Sequence, residues 1–331
     1  MKKIRIALIG TENDHAAPAL ISLKSQSDIF DLAGYCFVDE DDTQFKNNEA
    51  VYEDVPRLSL DELWNAGLDA VVIETNEKIS CKYAIMAAEH GLHVQMDKPG
   101  SEDHEEFVSM INLFKKTGLV FQPGYMYRYN PAFLKALEIV KSGRIGKIYS
   151  VEAQMNALQG DAKRIWLKQF RGGMMFFVGC HMIDLVLRLQ GMPSEIIPLN
   201  ACSGKDDIVS NDIGFAVFKY ENGASFVKTT ASEPGGFMRR QVVVCGTKGT
   251  IEINPLEYNV EGGLCSDMRV LYLETGSAWA ARADAKTYGP FVRLDNMLRS
   301  FAEMVAGEKP YDIDLDYEIK LHEIVLKAAG Y

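Results

Sequence analysis

Up to Gln122 the chain alternates short apolar runs with longer amphipathic stretches. The apolar runs are Ile4–Ile9, Leu32–Val38, Ala70–Glu74, His93–Met96 and Leu119–Gln122, and their length and composition predict buried strands. Helices are predicted between them. One starts at Ser59, where "SLDE" forms a capping box with Glu62 three residues beyond the cap. Another covers roughly Ile79–His90 and stops at Gly91, and a third runs from about Glu102 to Thr117 before Gly118. Strand–helix alternation of this kind predicts parallel strands joined by right-handed crossovers, a doubly wound sheet.

The texture then changes. "YNPAFLKALEIVKSGRIG" predicts a helix capped by Asn130, with Pro131 at its first position and Gly143 past its end. From Lys147 onward strand-like runs follow one another: Ile148–Ala157, Glu195–Ala201, Ile213–Tyr220, Ala224–Thr230, Gln241–Cys245, Thr250–Ile253 and Arg269–Leu273. "ENGA" at Glu221–Ala224 is a hairpin signal, so a mostly antiparallel open sheet is expected. Helical segments interrupt or close this part near Gly172–Leu189, Arg293–Val305 and Tyr317–Ala328. The reading is an α/β protein of two domains: residues 1–122, a doubly wound parallel sheet, and residues 123–331, an α/β domain with a mostly antiparallel open sheet.

Composition narrows the function classes. A length of 331 residues suits two domains, and 47% hydrophobic with 24% charged residues is ordinary for a globular protein. A net charge of −11 argues against nucleic acid as a partner. No apolar run is long enough for a membrane span, and "MKKIRIALIG" lacks the form of a signal peptide, so it reads as a first strand. Six cysteines scattered singly predict reduced thiols, a cytoplasmic setting and no metal site.

In an open parallel sheet, ligands bind beyond the carboxyl ends of the strands, so the residues there are read first. After the first strand Gly10 is the tight-turn glycine of a dinucleotide fingerprint, but Glu12 and His15 replace its next two glycines. Thr11 and Asn13 retain hydrogen-bonding capacity beside a helix start that attracts anions. The same stretch would also serve as a plain strand-to-helix turn. The second strand ends in "FVDEDD": Asp39 is placed for a ribose hydroxyl, and Glu40, Asp41 and Asp42 disfavour a 2′-phosphate, so NAD is expected over NADP. "QMDKPGS" sets Lys98 at the sheet edge, where burial would lower its pKa toward a proton-transfer range. In "RGGMMFFVGCHMIDLVLRLQG" a helix brings Phe177, His181 and Asp184 to one face, and Asp184 is expected to orient the imidazole.

Taken together the chain resembles the glucose–fructose oxidoreductase / inositol dehydrogenase (Gfo/Idh/MocA) family over nearly its whole length. "MDKPGS" matches that family's Glu-Lys-Pro stretch, and "YRYNPAFLKALEIVKSGRIGKI" its Arg-x-x-Pro helix and glycine turn. "GGMMFFVGCHMID" matches its Gly-Gly…Gly-x-His-x-x-Asp helix, and "CGTKGTI" a turn in its large sheet. The resemblance implies a Rossmann domain, a C-terminal α/β domain that often makes homo-oligomer contacts as dimer or tetramer, and hydride transfer at a secondary alcohol of a sugar or cyclitol. It implies catalytic roles for Lys98 and His181, with Asp184; cofactor contacts from Gly10, Thr11, Asn13, Asp39, Thr75, Asn76 and Lys98; and substrate contacts from Arg128, Lys163, Arg164, Trp166, Phe177 and His181.

Three departures mark this chain. The fingerprint glycines are lost, "IETNEKIS" stands where the family has Thr-Pro and a later His, and Phe177 takes the place of a catalytic Asp. Two other readings therefore stay open: a lyase or glycosidase-type enzyme that retains its cofactor and uses transient oxidation, and a non-catalytic sugar-binding protein. The basic loop "DAKRIWLKQFRGG", with Lys163, Arg164, Lys168 and Arg171, is expected to suit an anionic sugar.

Overall fold

The computed structural model describes residues 3–38, 49–273 and 281–331. The chain divides into two compact units, Met1–Met126 with Leu294–His322, and Tyr127–Arg293 with Glu323–Tyr331. The division expected at residue 122 thus falls a few residues later, and the first unit also takes a late segment that a single cut does not describe.

The first unit begins β1 (Ile4–Ile9), α1 (Ala16–Ser25), β2 (Phe30–Cys36), α2 (Leu60–Trp64), β3 (Ala70–Ile73), α3 (Ser80–Glu89), β4 (His93–Met96), α4 (His104–Thr117) and β5 (Phe121–Pro123). The strands form a five-stranded parallel sheet in the order β2-β1-β3-β4-β5. One face carries Ala7, Ile9, Val71, Ile73, Val94 and Met96 against Ala84, Ala87, Phe107, Met110 and Phe114 of α3 and α4. The other face is less uniform, because Gln95 and Gln122 sit side by side in the register there, and the Gln122 amide donates to the Met297 carbonyl at 3.2 Å. Caps explain where the helices start. Ser59 and Glu62 make the reciprocal capping box, and Asp103 accepts from the backbone of Glu105 and Glu106.

The second unit comprises α5 (Pro131–Lys141), β6 (Ile148–Asn156), α6 (Asp161–Trp166), α7 (Cys180–Gln190), β7 (Glu195–Pro198), β8 (Ile213–Tyr220), β9 (Gly223–Thr230), β10 (Gln241–Gly246), β11 (Gly249–Ile253), β12 (Tyr258–Val260), β13 (Gly263–Leu273) and β14 (Ala281–Phe291). Its sheet runs β12-β13-β11-β10-β6-β9-β8-β7, with β14 on β13. Among the described residues only β6–β9 is a parallel pair in this sheet; the other described pairs are antiparallel. Alternation is plain: Val151, Ala153 and Met155 of β6 and Val242 and Val244 of β10 point inward. Phe215, Val217, Phe226 and Val243 occupy the half-buried outer positions. Of the last two helices, α8 (Arg293–Val305) belongs to the first unit from Leu294 onward, and α9 (Leu315–Ala329) is divided between the units after His322.

Candidate active site

In the first unit the turns after β1 and β3 are tied together. Gly10 has φ +84°, and a Cβ on it would lie 2.5 Å from the Thr75 methyl, so only glycine allows this approach. The Asn13 amide N–H donates to the Glu74 carbonyl at 3.2 Å, and the Asn76 side chain donates to the Glu12 carboxylate at 2.8 Å. Asn13 donates likewise to Glu77 at 3.3 Å, while its own Oδ1 accepts from the His15 backbone. Thr11, Glu12, Asn13 and Thr75 are all buried.

β4 delivers Asp97 and Lys98 to the same edge. Lys98 is 2% exposed, with its Nζ 3.4 Å from Asp97 Oδ2, and His15 Nδ1 stands 3.1 Å from Asp97 Oδ1. Glu74 is buried beside them. Desolvation, then the charge of Asp97, hold its carboxyl well above the usual carboxylate range, with Lys98 pulling the other way.

A cavity of about 410 Å³ opens beside the β1 turn, lined by Thr11, Tyr35, Phe37, Tyr52, Glu53 and Arg57 among others. Tyr35 and Tyr52 meet edge to face at 4.9 Å, and the Arg57 guanidinium lies 4.2 Å above Phe37. The space and its aromatic walls fit an adenosine. In the adjoining turn Glu12 stands at the second fingerprint position, its buried carboxylate accepting from Asn76. Asp39, with Glu40, Asp41 and Asp42, lies outside the described residues.

In the second unit Arg128 comes from the turn before α5, whose Asn130 cap accepts from Ala132 and Phe133. Its guanidinium grips the Asp184 carboxylate through two bonds, and Arg188 donates to the same carboxylate at 3.1 Å. Asp184, expected to orient His181, is therefore an acceptor for two guanidiniums. His181 itself is buried on α7, with the Tyr127 ring edge-on at 5.1 Å.

The helix bearing His181 is entered through a π-turn, Met175–Gly179, a feature frequent at functional sites. Its paired glycines are required by packing. A Cβ on Gly173, where φ is +49°, would lie 2.2 Å from the Asn211 carbonyl, and one on Gly172 would lie 2.3 Å from Ala329. Phe177 leaves the π-turn to form an aromatic box. Trp166 meets it edge-on at 4.9 Å, and Phe170 stacks at 6.4 Å. The Lys163 ammonium sits 3.5 Å over Trp166 and 4.1 Å over Phe177.

The four basic residues of that loop do not act together. Arg164 is fully buried and consumed by Asp161, Asp206 and the Lys205 carbonyl, so its expected place among the substrate contacts gives way to a structural ion-pair network. Lys168 and Arg171 are exposed, Arg171 lying 5.4 Å over Tyr331.

A polar cluster escaped the sequence reading. Glu257, fully buried, accepts from Tyr127 at 2.5 Å, from Arg240 at 2.5 Å and from Arg293 at 2.6 and 2.7 Å. Burial pushes the Tyr127 hydroxyl up to about 12, so it stays a donor to Glu257 while its ring touches His181. No spacing links these four positions; only the adjacency of Tyr127 to Arg128 hinted at them.

Comparison with known proteins bears on these arrangements. Residues 4–125 match the model of the oxidoreductase family with an NAD-binding Rossmann fold, and residues 133–252 match the GFO/IDH/MocA C-terminal domain. The chain belongs to the Gfo/Idh/MocA oxidoreductase family. It is 28% identical to the scyllo-inositol 2-dehydrogenase (NAD(+)) of Bacillus subtilis over 272 residues, 78% of this chain and 74% of that protein. It is also 28% identical to the 2,7-anhydro-N-acetylneuraminate hydratase of Escherichia coli over 210 residues, covering 60% of this chain and 55% of that relative's length. A UDP-N-acetylglucosamine 3-dehydrogenase structure from Acidithiobacillus ferrooxidans superposes with a TM-score of 0.78 at 18% identity over 99% of this chain and 96% of that one, a likeness of fold. Among the described residues no helix is long and apolar enough to cross a membrane.

Proposed function

We propose that this member of the family uses NAD, in preference to NADP, to transfer hydride at a secondary alcohol of a sugar, cyclitol or derivative. The observation that carries the reading is the buried ammonium of Lys98 at the carboxyl edge of the parallel sheet. A lysine is almost never placed there for packing alone. The bound nicotinamide would supply the hydride acceptor. Thr11, Asn13, Thr75 and Asn76 line the turns beside Gly10 and would bind the dinucleotide, with Asp39 on the ribose. Glu53 and Glu49 beside Arg57 leave the adenosine cavity net acidic, which supports NAD.

Lys98 orients the reacting groups and shares the proton, and His181 serves as general acid/base, its ring packed against Tyr127. Asp184 is a positioning residue that holds Arg128. Lys163, Trp166 and Phe177 contribute to the substrate side, the ammonium favouring an anionic sugar. Homo-oligomer formation is supported by Phe215, Val217, Phe226 and Val243 on the outer sheet face, and six free cysteines support a reducing, cytoplasmic setting.

The hydratase relative favours one second reading, a retained cofactor oxidised and reduced within one turnover. Absorbance at the NADH band during incubation with NAD and a panel of sugars and cyclitols separates the readings. Net NADH formation supports the dehydrogenase; product without net NADH supports the second; no cofactor uptake at all overturns both.

A further inference from the structure

His15, Glu74 and Asp97 follow three different strands of the first unit and meet at the carboxyl edge of its sheet. One carboxylate oxygen each of Glu74 and Asp97 and one ring nitrogen of His15 lie within 4.8 Å of one another. The geometry points to a divalent-cation site at these three residues, taking a first-row transition ion of the manganese or zinc class.

Donors bound to one such ion at about 2.1 Å stand roughly 3–4 Å apart. His15 Nδ1 and Asp97 Oδ1 already stand at 3.1 Å, and an oxygen of Glu74 lies within 4.8 Å of a donor atom on each. A second observation concerns Glu74 itself. It is 1% exposed, and its Oε2 has no hydrogen-bond partner among the described residues. A buried carboxylate oxygen in that position is costly until a cation meets it.

Charge agrees. Glu77 and Asp97 are acidic and Lys98 is basic, and Glu74, whose carboxyl burial and Asp97 hold well above the usual carboxylate range, would release its proton when a dication binds. Lys98 approaches Asp97 on Oδ2 while His15 approaches on Oδ1, so the ammonium and the donor set use different oxygens. The His15 side chain is 21% exposed, which gives an ion a path from solvent and room for water to complete its shell. One imidazole with two carboxylates suits manganese, iron or zinc. It does not suit calcium, which takes six to eight oxygens.

The test uses the full-length protein stripped with EDTA and titrated with Mn²⁺, the free ion being followed by electron paramagnetic resonance. One Mn²⁺ per chain is expected, with Glu74→Gln and His15→Ala each weakening uptake by about tenfold or more. Glu138→Gln, on exposed α5 surface, leaves it unchanged. Circular dichroism checks each fold, and if Glu74→Gln does not fold, His15→Ala at its partly exposed position decides. No uptake, several weak equivalents, or uptake unchanged in the folded variants overturns the site.

Discussion

Arg128 holds Asp184 in a fork, Nε to Oδ2 at 2.9 Å and Nη2 to Oδ1 at 2.8 Å, with both side chains buried. A bidentate pair out of water is fixed in geometry as well as charge. Removing one member strands the other. Asp184→Asn is expected to cost about 3–5 kcal/mol of stability, read from urea unfolding. The double variant Arg128→Met with Asp184→Leu is expected to recover much of that loss, because the buried pair is removed together and the partly exposed Arg188 reaches solvent.

Lys98→Ala and His181→Ala are each expected to lower turnover by roughly 10²–10⁴, the usual cost of losing a positioned proton-transfer group. Both should keep their far-ultraviolet dichroism. Turnover unchanged in both would remove them from the reaction.

Glu12→Gln keeps an acceptor for Asn76 and removes the negative charge from the turn proposed to bind the dinucleotide. NAD is expected to bind more tightly by about 1–3 kcal/mol, the scale of one charge conflict in a partly screened site. Calorimetric titration of wild type and variant with NAD and with NADP measures both the gain and the preference.

The strands and caps were legible because their signals are local. Ile4–Ile9 and His93–Met96 appear at the predicted residues, and Ser59 and Asn130 cap as their sequence context requires. β14 was not legible. "ARADAKTYGPF" carries no apolar alternation and forms an edge strand by backbone pairing to β13, a partner that no window of its own sequence reveals. The same limit applied to the site. The positions of Lys98, His181 and Asp184 were readable one at a time, but the partner of Asp184 lies 56 residues away and Glu257 lies 130 residues from Tyr127. Arg164 and Lys163 are buried neighbours of like charge in sequence, and only their partners separate their uses, carboxylates for Arg164 and aromatic rings for Lys163.

That separation is testable. Lys163→Met is expected to weaken the response to sugar acids and phosphates by about tenfold relative to neutral sugars, the order of one charge contact. Arg164→Gln is expected instead to lower the melting temperature with little change in that ratio, because its partners are Asp161 and Asp206. Thermal shift across the ligand panel reads both.

His322 gives the pH dependence. Buried against Phe107 at 4.1 Å, it accepts no proton easily: desolvation, with the neighbouring His104, lowers its pKa to about 4 from 6.5, although the Ser101 carbonyl takes its Nε2–H at 2.9 Å. The unfolded chain binds this proton first, so the stability is whole above about 6.5 and is lost as pH falls toward about 4, by about 3 kcal/mol at most. His322→Phe is expected to flatten that slope relative to wild type, measured by urea unfolding at several pH values.

The segment Leu294–His322 returns to the unit that begins the chain, where Gln122 reaches Met297 and the Tyr311 hydroxyl meets Phe121 through both its backbone N–H and its carbonyl. The backbone therefore passes between the units three times, after Met126, after Arg293 and within α9. A cofactor module cut from this protein as one contiguous piece would lack the helix that covers Gln122. Recombination with a relative would have to exchange two separated stretches of the chain at once to carry the whole of the first unit.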